Sequence, residues 1–457
     1  MIDLLETVQD RVVPPAPHGA VSMSVVGCGY LGAVHAASMA SLGHDVVGVD
    51  VDAAKVAELA SGRSPFFEPG LGALLVDGTR AGTLRFTTDP AGAPGATVHF
   101  VCVGTPQRRG ENAADLRHVD AAVAQLLPQL KPGDLVVGKS TVPVGTAERI
   151  AEQMAAVEPA ATLVWNPEFL REGHAVEDTL SPDRLVYGVP EGAAGERAVA
   201  VLDRVYAKAL AAGTPQVVTD YTTAQLVKVA ANSFLATKIS FINAMAELCE
   251  ATGGDVIQLA DAIGHDARIG RRFLNAGLGF GGGCLPKDIR AFMARAGELG
   301  VDQALTFLRE VDSINMRRRV RMVDLAREVS SGSIVGRRIA VLGAAFKPHS
   351  DDVRDSPALS VAAQMSLQGA DVVVTDPQAV PNAAAKWPDL VFETDLATAV
   401  RDAELVLVLT EWPEYVALDP AWLTPLVART RILDGRNALD PARWRAAGWT
   451  YRALGRR

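Results

Sequence analysis

The run Gly279-Phe280-Gly281-Gly282-Gly283-Cys284-Leu285-Pro286-Lys287-Asp288 concentrates more reactive chemistry than any other stretch of the chain. Its glycines let backbone crowd against a ligand. The cysteine after them opens a helical segment, and a thiol near a helix N-terminus tends toward a lowered pKa and nucleophilic character. Asp288 sits one turn further on, within reach of the same site. A buried, inert thiol is the ordinary reading of a cysteine. It suits Cys28, Cys102 and Cys249, whereas the polyglycine run and the Lys287-Asp288 pair argue for a working sulfur at Cys284. Upstream, Lys228 and Asn232 stand four apart on a helix, hence on one face. Such a pair can polarise a carbonyl or hold an oxyanion. Spacing alone favours a plainer reading, a solvated lysine beside a packing asparagine.

A second site lies near the start of the chain. The strand-like SMSVVG runs into Gly27-Cys28-Gly29-Tyr30-Leu31-Gly32 and then an Ala-rich helical stretch. This is the dinucleotide-binding glycine pattern in its required setting, strand before and helix after. Gly27 permits the tight turn, Gly29 the approach of pyrophosphate, and Gly32 close helix–strand packing. The helix N-terminus offers free N–H groups to phosphate. The next strand ends at Asp50, about twenty positions on, where a carboxylate can accept from both ribose hydroxyls. It would repel a 2′-phosphate, so the expected cofactor is NAD and not NADP; Lys55 close behind is the one contrary sign.

Elements that would position these groups follow from hydropathy. SMSVVG, DVVGVD, TVHFVCV, DLVVGKS, TLVWN, RLVYG and QVVT are short apolar runs alternating with helical segments, as in a parallel sheet covered on both faces. Residues 1–218 are therefore assigned to an α/β, doubly wound Rossmann-like NAD-binding domain, with 1–20 a flexible extension. From Tyr221 to about Thr252 no proline or glycine interrupts one long helix, which Gly253-Gly254 stops. A further long helix is expected from about Gln303 to Val329, giving a helical middle domain at 219–330 that carries Cys284. The α/β pattern then resumes: RRIAVLG, DVVVTDP, LVLVLT and RILDGRN read as strands of a second Rossmann-like domain at 331–457. With 49% hydrophobic and 21% charged residues, the chain has ordinary material for packed cores. A net charge of −9 argues against nucleic acid and anionic membrane as partners. The four cysteines are scattered, without metal-ligand spacing, so no metal site and a reducing, cytoplasmic setting are expected. Neither an apolar leader at the N-terminus nor a membrane-length apolar run is visible.

Taken in order, the motifs resemble the UDP-glucose/GDP-mannose dehydrogenase family along almost the whole chain. They are GCGYLG at 27–32, FFEPGL at 66–71, GTP at 104–106, STVPVGT at 140–146, NPEFLREG at 166–173, SPDR at 181–184, LVKVAANSFLATKISFINA at 226–244, RIGRRFLNAGLGFGGGCLPKD at 268–288 and FKPHSDDVRDSPA at 346–358. So many motifs in one order are far more specific than any one of them. The resemblance implies a four-electron oxidation of a sugar CH2OH to a carboxylate with two NAD per product. Cys284 would capture the aldehyde as a thiohemiacetal and then carry a thioester, since an aldehyde cannot give up hydride until a nucleophile has added. It further implies that Lys228 and Asn232 steady the oxyanion, that Asp288 with Thr141 handles water and protons, and that Glu168 works as acid and base. Cofactor contacts would extend to Tyr30, Leu31, Thr105, Thr141, Glu172, Lys287 and Arg354. On the substrate side the resemblance adds Phe169, Leu170, Phe273, Asn275, Gly281, Phe346 and Lys347, with Arg268 reaching across a homodimer or higher homo-oligomer interface.

The segments RIGRRFLNAGLGFGGGC and EDTLSPDR look like the UDP-glucose branch of the family, so UDP-glucose is the expected substrate and UDP-glucuronate the product. A pocket that accepts uracil discriminates against thymine by only about 1–3 kcal/mol for one methyl, which keeps dTDP-glucose or another nucleotide hexose as an alternative. Two rivals are weaker. A two-electron β-hydroxyacid dehydrogenase would need neither residues 279–288 nor 331–457, and a non-catalytic nucleotide-sugar sensor would not need every chemical position filled.

Overall fold

Eight strands, β1 (Ser22–Val26), β2 (Asp45–Val49), β3 (Leu84–Thr87), β4 (Val98–Val101), β5 (Leu135–Gly138), β6 (Thr162–Trp165), β7 (Leu185–Gly188) and β8 (Gln216–Thr219), form the first sheet of the protein, in the order β3-β2-β1-β4-β5-β6-β7-β8. The computed structural model describes residues 19–456. The expected extension at 1–20 therefore falls, apart from its last two residues, outside the described residues. Every residue of β4, β5 and β7 is buried, as strands covered on both faces must be. Two features depart from the sequence reading. β3 escapes the apolar-run criterion because it is an edge strand, Leu-Arg-Phe-Thr, with Arg85 exposed. The sheet is not wholly parallel either: β7 meets β6 antiparallel through the single pair Trp165–Gly188, and β8 follows β7 in parallel. An apolar run reports burial, not direction, so this reversal left no mark in the sequence.

The long helix spans Tyr221–Thr252, as its lack of proline and glycine requires. Asp220 caps it by accepting from the Thr223 N–H, and Gly253 ends it in the left-handed conformation at φ 84°. Gly188 lets it seat against the first sheet, because a Cβ there would stand 2.6 Å from that of Ala224. The helix Thr306–Val329 packs alongside, preceded by a short 3-10 turn at Asp302–Leu305, so the α-helix proper begins slightly later than the apolar pattern suggests. The fully buried Arg318 joins the two helices by pairing with Glu250 at 3.0 Å. A third helix, Leu285–Glu298, starts at Cys284 and contacts the long helix.

The second sheet is parallel throughout: β9 (Arg338–Leu342), β10 (Asp371–Thr375), β11 (Val391–Phe392), β12 (Leu405–Val408), β13 (Arg431–Asp434) and β14 (Thr450–Ala453), in the order β11-β10-β9-β12-β13-β14. Here the acid after β10, Asp376, accepts from the Ala344 and Ala345 N–H groups and from the Trp412 indole. It holds the turn after β9 in place. The architecture is thus two Rossmann-like sheets with a helical middle between them.

Candidate active site

The chain from Gly277 to Cys284 is threaded between all three parts of the molecule. Gly277 N–H donates to Asn243 of the long helix, Phe280 exchanges two hydrogen bonds with Asn315, Leu278 N–H donates to Gly435 O, and Gly282 N–H donates to Arg354 O. Close packing explains the glycines. A Cβ on Gly281 would lie 2.4 Å from Asp355 O, one on Gly282 2.7 Å from the Phe346 ring, and one on Gly283 2.2 Å from the Arg354 guanidinium. Cys284 emerges from this seat with its surface open to solvent.

Two side-chain pairs contribute charges that couple to the sulfur. Lys228 Nζ lies 2.9 Å from Glu168 Oε1, and Asn232 Nδ2 donates to Asp288 Oδ2 at 2.6 Å. Lys228, Asn232 and Asp288 are all buried, so the solvated-lysine reading is excluded. Lys287 Nζ reaches the other Asp288 oxygen at 2.5 Å. Glu168 also accepts from the Leu170 N–H at 2.6 Å. Phe169 has two cations near its ring, the Arg184 guanidinium 3.6 Å from its centre and Lys228 Nζ 5.5 Å away.

Burial opposes the charge on Glu168, yet Lys228, the Leu170 N–H and Lys139 outweigh it and hold its carboxyl below the usual value. Burial likewise opposes the Lys228 ammonium, and Glu168, Cys284 and Asp288 more than restore it. Both partners therefore stay ionised. The thiol corrects an expectation. Although it precedes a helix, crowding in the cleft, followed by the nearby Glu168 and Asp288 charges, pushes Cys284 up to about 11. Lys228 and Lys287 pull the other way without prevailing.

Residues 166–173 are not helical, so Glu168 and Glu172, four apart in sequence, do not share a helix face. Glu172 is largely buried, accepts from Ser350 Oγ at 3.3 Å and pairs with Arg354 at 3.0 Å. Arg354 also pairs with Asp352 of its own loop at 2.7 Å, and it is the Glu172–Arg354 pair that clasps the C-terminal sheet's loop to the first domain. Lys347 stands beside Phe346; burial lowers its ammonium, and Glu172 and Cys284 oppose that.

The dinucleotide loop fits NAD by its own geometry. Gly27 sits at φ 90°, and a Cβ there would stand 2.5 Å from Val103. At Gly32 a Cβ would lie 1.8 Å from Gly27 O, whereas one on Gly29 would meet nothing, leaving open the face a pyrophosphate needs. Asp50 is buried at the end of β2, accepts from the Cys28 N–H at 2.8 Å and pairs with Lys55 at 3.0 Å. Tyr30 and Leu31 turn into the first core beside Phe66. Thr105 donates to Thr141 O at 2.7 Å, joining the GTP and STVP loops. Both threonines line one cleft with Lys287 and Asp288, so the cofactor domain opens directly onto the thiol's helix.

Arg268, Phe273 and Asn275 are not part of this cluster's bonding. Arg268 is exposed and held by Asp266 at 2.6 Å, Phe273 is an exposed residue at φ 66°, and Asn275 accepts from Arg271. Conversely, sequence reasoning missed several residues that build the site. Lys139 is buried, donates to Asn166 at 3.0 Å, and burial lowers it to about 8 against Cys102 and Glu168. Arg436 donates to Gly279 O and Phe346 O. Lys139 directly precedes STVPVGT and Asn166 opens NPEFLREG, a usable signal; nothing marked Arg436.

Comparison with known proteins gives matches along almost the whole chain. The chain matches the NAD binding domain of the UDP-glucose/GDP-mannose dehydrogenase family over residues 21–210, its central domain over 222–317 and its UDP binding domain over 340–441. It is 40% identical over 439 residues to UDP-glucose 6-dehydrogenase of Rhizobium meliloti, covering 95% of this chain and 100% of that one. It is 39% identical to UDP-glucose 6-dehydrogenase TuaD of Bacillus subtilis, covering 95% and 93%. The structure of a UDP-glucose dehydrogenase from the archaeon Pyrobaculum islandicum superposes with a TM-score of 0.86 at 38% identity, covering 97% of this chain and 100% of that one.

Proposed function

The chain belongs to the UDP-glucose/GDP-mannose dehydrogenase family and is an NAD-dependent enzyme, and from that premise we propose that it oxidises UDP-glucose to UDP-glucuronate through Cys284. The observation that carries the reading is one thiol, on an exposed residue, electrostatically coupled to the ionised Lys228–Glu168 pair and to Asp288 of the buried Asn232–Asp288 pair. NAD, when bound, supplies acceptance of hydride from the sugar carbon, and two NAD serve each product.

The protein's own groups do the rest. With its thiol held near 11, Cys284 is protonated at neutral pH, so it must lose a proton as its C–S bond to the aldehyde forms. Glu168, ionised and coupled to that sulfur, takes the proton. Lys228 and Asn232 stabilise the oxygen on which negative charge develops, in a setting where fixed donors count for far more than in water. The sulfur retains the half-oxidised sugar and then carries it as a thioester. Asp288, bonded to Asn232 and lining the cleft with Thr141, orients the water that releases the acid.

The assigned division of labour gives NAD binding to residues 1–218, the thiol and subunit contact to 219–330, and the nucleotide sugar to 331–457, where Phe346 and Arg354 pack on the glycine loop and Lys347 stands beside Phe346. Phe234, Phe241 and Leu248 recur every seven residues on the long helix and are exposed, a self-complementary stripe for a homodimer. In that dimer the exposed Arg268 serves the neighbouring site. Among the described residues no helix is long and apolar enough to cross a membrane, which accords with work in the cytoplasm.

The test is a count. With UDP-glucose, about two NADH should appear per sugar consumed, and Cys284→Ser should abolish acid formation while NAD still binds. One NADH per sugar, or normal acid formation by the variant, would refute the thioester route. Offering dTDP-glucose and other nucleotide hexoses in parallel fixes the substrate.

A further inference from the structure

Glu68, in the FFEPGL segment, is buried, and it is not part of the cluster around the sulfur. Its carboxylate is saturated with donors from two separate parts of the first domain. Oε2 accepts from the Tyr30 hydroxyl and from the Gly173 N–H at 2.7 Å; Oε1 accepts from the Ala175 N–H at 2.7 Å and the Val176 N–H at 3.4 Å. The Tyr30 oxygen accepts from the same Gly173 N–H at 3.0 Å. Tyr30 follows Gly29 directly in the dinucleotide loop, and its ring lies 4.8 Å from that of Phe66. Gly173 closes the NPEFLREG segment that bears Glu168 and Glu172. The residue before Glu68, Phe67, donates its N–H to Asp351 of the second α/β part at 3.1 Å.

From this convergence we infer that Glu68 is a positioning residue, which fixes the pyrophosphate-binding turn relative to the segment carrying Glu168 and Glu172. The two segments follow different strands of one sheet, β1 and β6; the helices that begin at Tyr30 and Ala175 pack on each other, and the Glu68 carboxylate sits at that junction bonded to both. Catalysis needs both at once, because the cofactor held by one must reach the carbon served by the other, and a misplacement of about 1 Å costs on the order of a hundredfold. Each Glu68 oxygen accepts from an N–H, so an amide could satisfy only one side; its NH2 would confront a donor on the other. The inference rests on the dehydrogenase reading given above.

The test combines direct NAD titration without substrate, steady-state kinetics, and a count of active sites by Cys284 alkylation. Glu68→Gln should weaken NAD binding about tenfold and lower kcat about tenfold per active site, with UDP affinity within about twofold of the unaltered chain. Tyr30→Phe should weaken NAD about threefold, and the double variant should be no worse than Glu68→Gln, as expected of residues acting as one unit. Glu68→Asp, which keeps charge and acceptors, should recover part of the loss. A purely structural role would lower the number of active sites and leave NAD affinity and kcat per site intact. That result, or additive losses in the double variant, overturns the inference. Should Glu68→Gln fail to fold, Tyr30→Phe decides alone, and an unchanged NAD affinity in it overturns the inference. Failure of the unaltered chain to oxidise UDP-glucose would count against the function only, since NAD titration reads Glu68 regardless of the sugar.

Discussion

Glu168 and Glu172 stand four residues apart in sequence and have opposite proton affinities. Glu168 is held ionised between lysines, while Glu172 is raised from 4.5 to about 7, by burial first and then by Asp352, against the pull of Arg354 and Lys347. The sign follows from linkage. A carboxyl that binds its proton more tightly in the folded chain contributes stability that is complete below its ordinary value and is lost as pH rises through about 7. Melting temperature measured across this range should therefore fall on the alkaline side, and Glu172→Gln, which cannot ionise, should flatten that part of the profile. An identical profile in the variant would remove Glu172 as the source. The sequence supplied both carboxylates, but their partners lie far along the chain, Lys139 and Lys228 for Glu168, Asp352 and Arg354 for Glu172, which no local pattern announces. The same holds for Cys284: its place before a helix argued for an acidic thiol, and crowding in the cleft, with the nearby carboxylates second, reversed it.

At the scale of elements, what was legible is what one segment decides for itself. The long helix could be bounded from its composition because Asp220 and Gly253 terminate it locally. The first glycine loop was legible for the same reason: strand, turn and helix are contiguous. Edge strand β3, the reversal at β7 and the irregular path of NPEFLREG depend on neighbours, and each escaped. The loop before the thiol shows how strongly neighbours constrain. Gly279 sits at φ 85°, and a Cβ on it would lie 2.1 Å from Asn315 Oδ1, the acceptor that holds Phe280 N–H. Gly279→Ala should destabilise the fold by at least about 1–3 kcal/mol from backbone strain alone, read by urea unfolding, and should lower kcat as well. A variant of unchanged stability would mean that the loop can relax away from Asn315.

The whole molecule leaves its longest helix partly uncovered. Phe234, Phe241 and Leu248 are exposed on it, and exposed large apolar groups in a line mark an interaction surface. Phe241→Asp should turn the proposed dimer into a monomer by light scattering while leaving the NAD site of each chain able to bind. A variant still dimeric would move the contact elsewhere. None of the buried pairs at the sulfur includes a residue of this stripe, so loss of assembly and loss of NAD binding are separable.

The strip of backbone that ends in Cys284 is moored to the second sheet, through Leu278 to Gly435 and Gly282 to Arg354, whereas Lys228, whose charge couples to the sulfur, belongs to the long helix. The sulfur thus reports how the far sheet is seated. On the assignment proposed above, the nucleotide end of the substrate would tune the aim of an atom it never touches. Binding energy gathered far from the reacting carbon would then be expressed in the rate of reaction and not merely in retention.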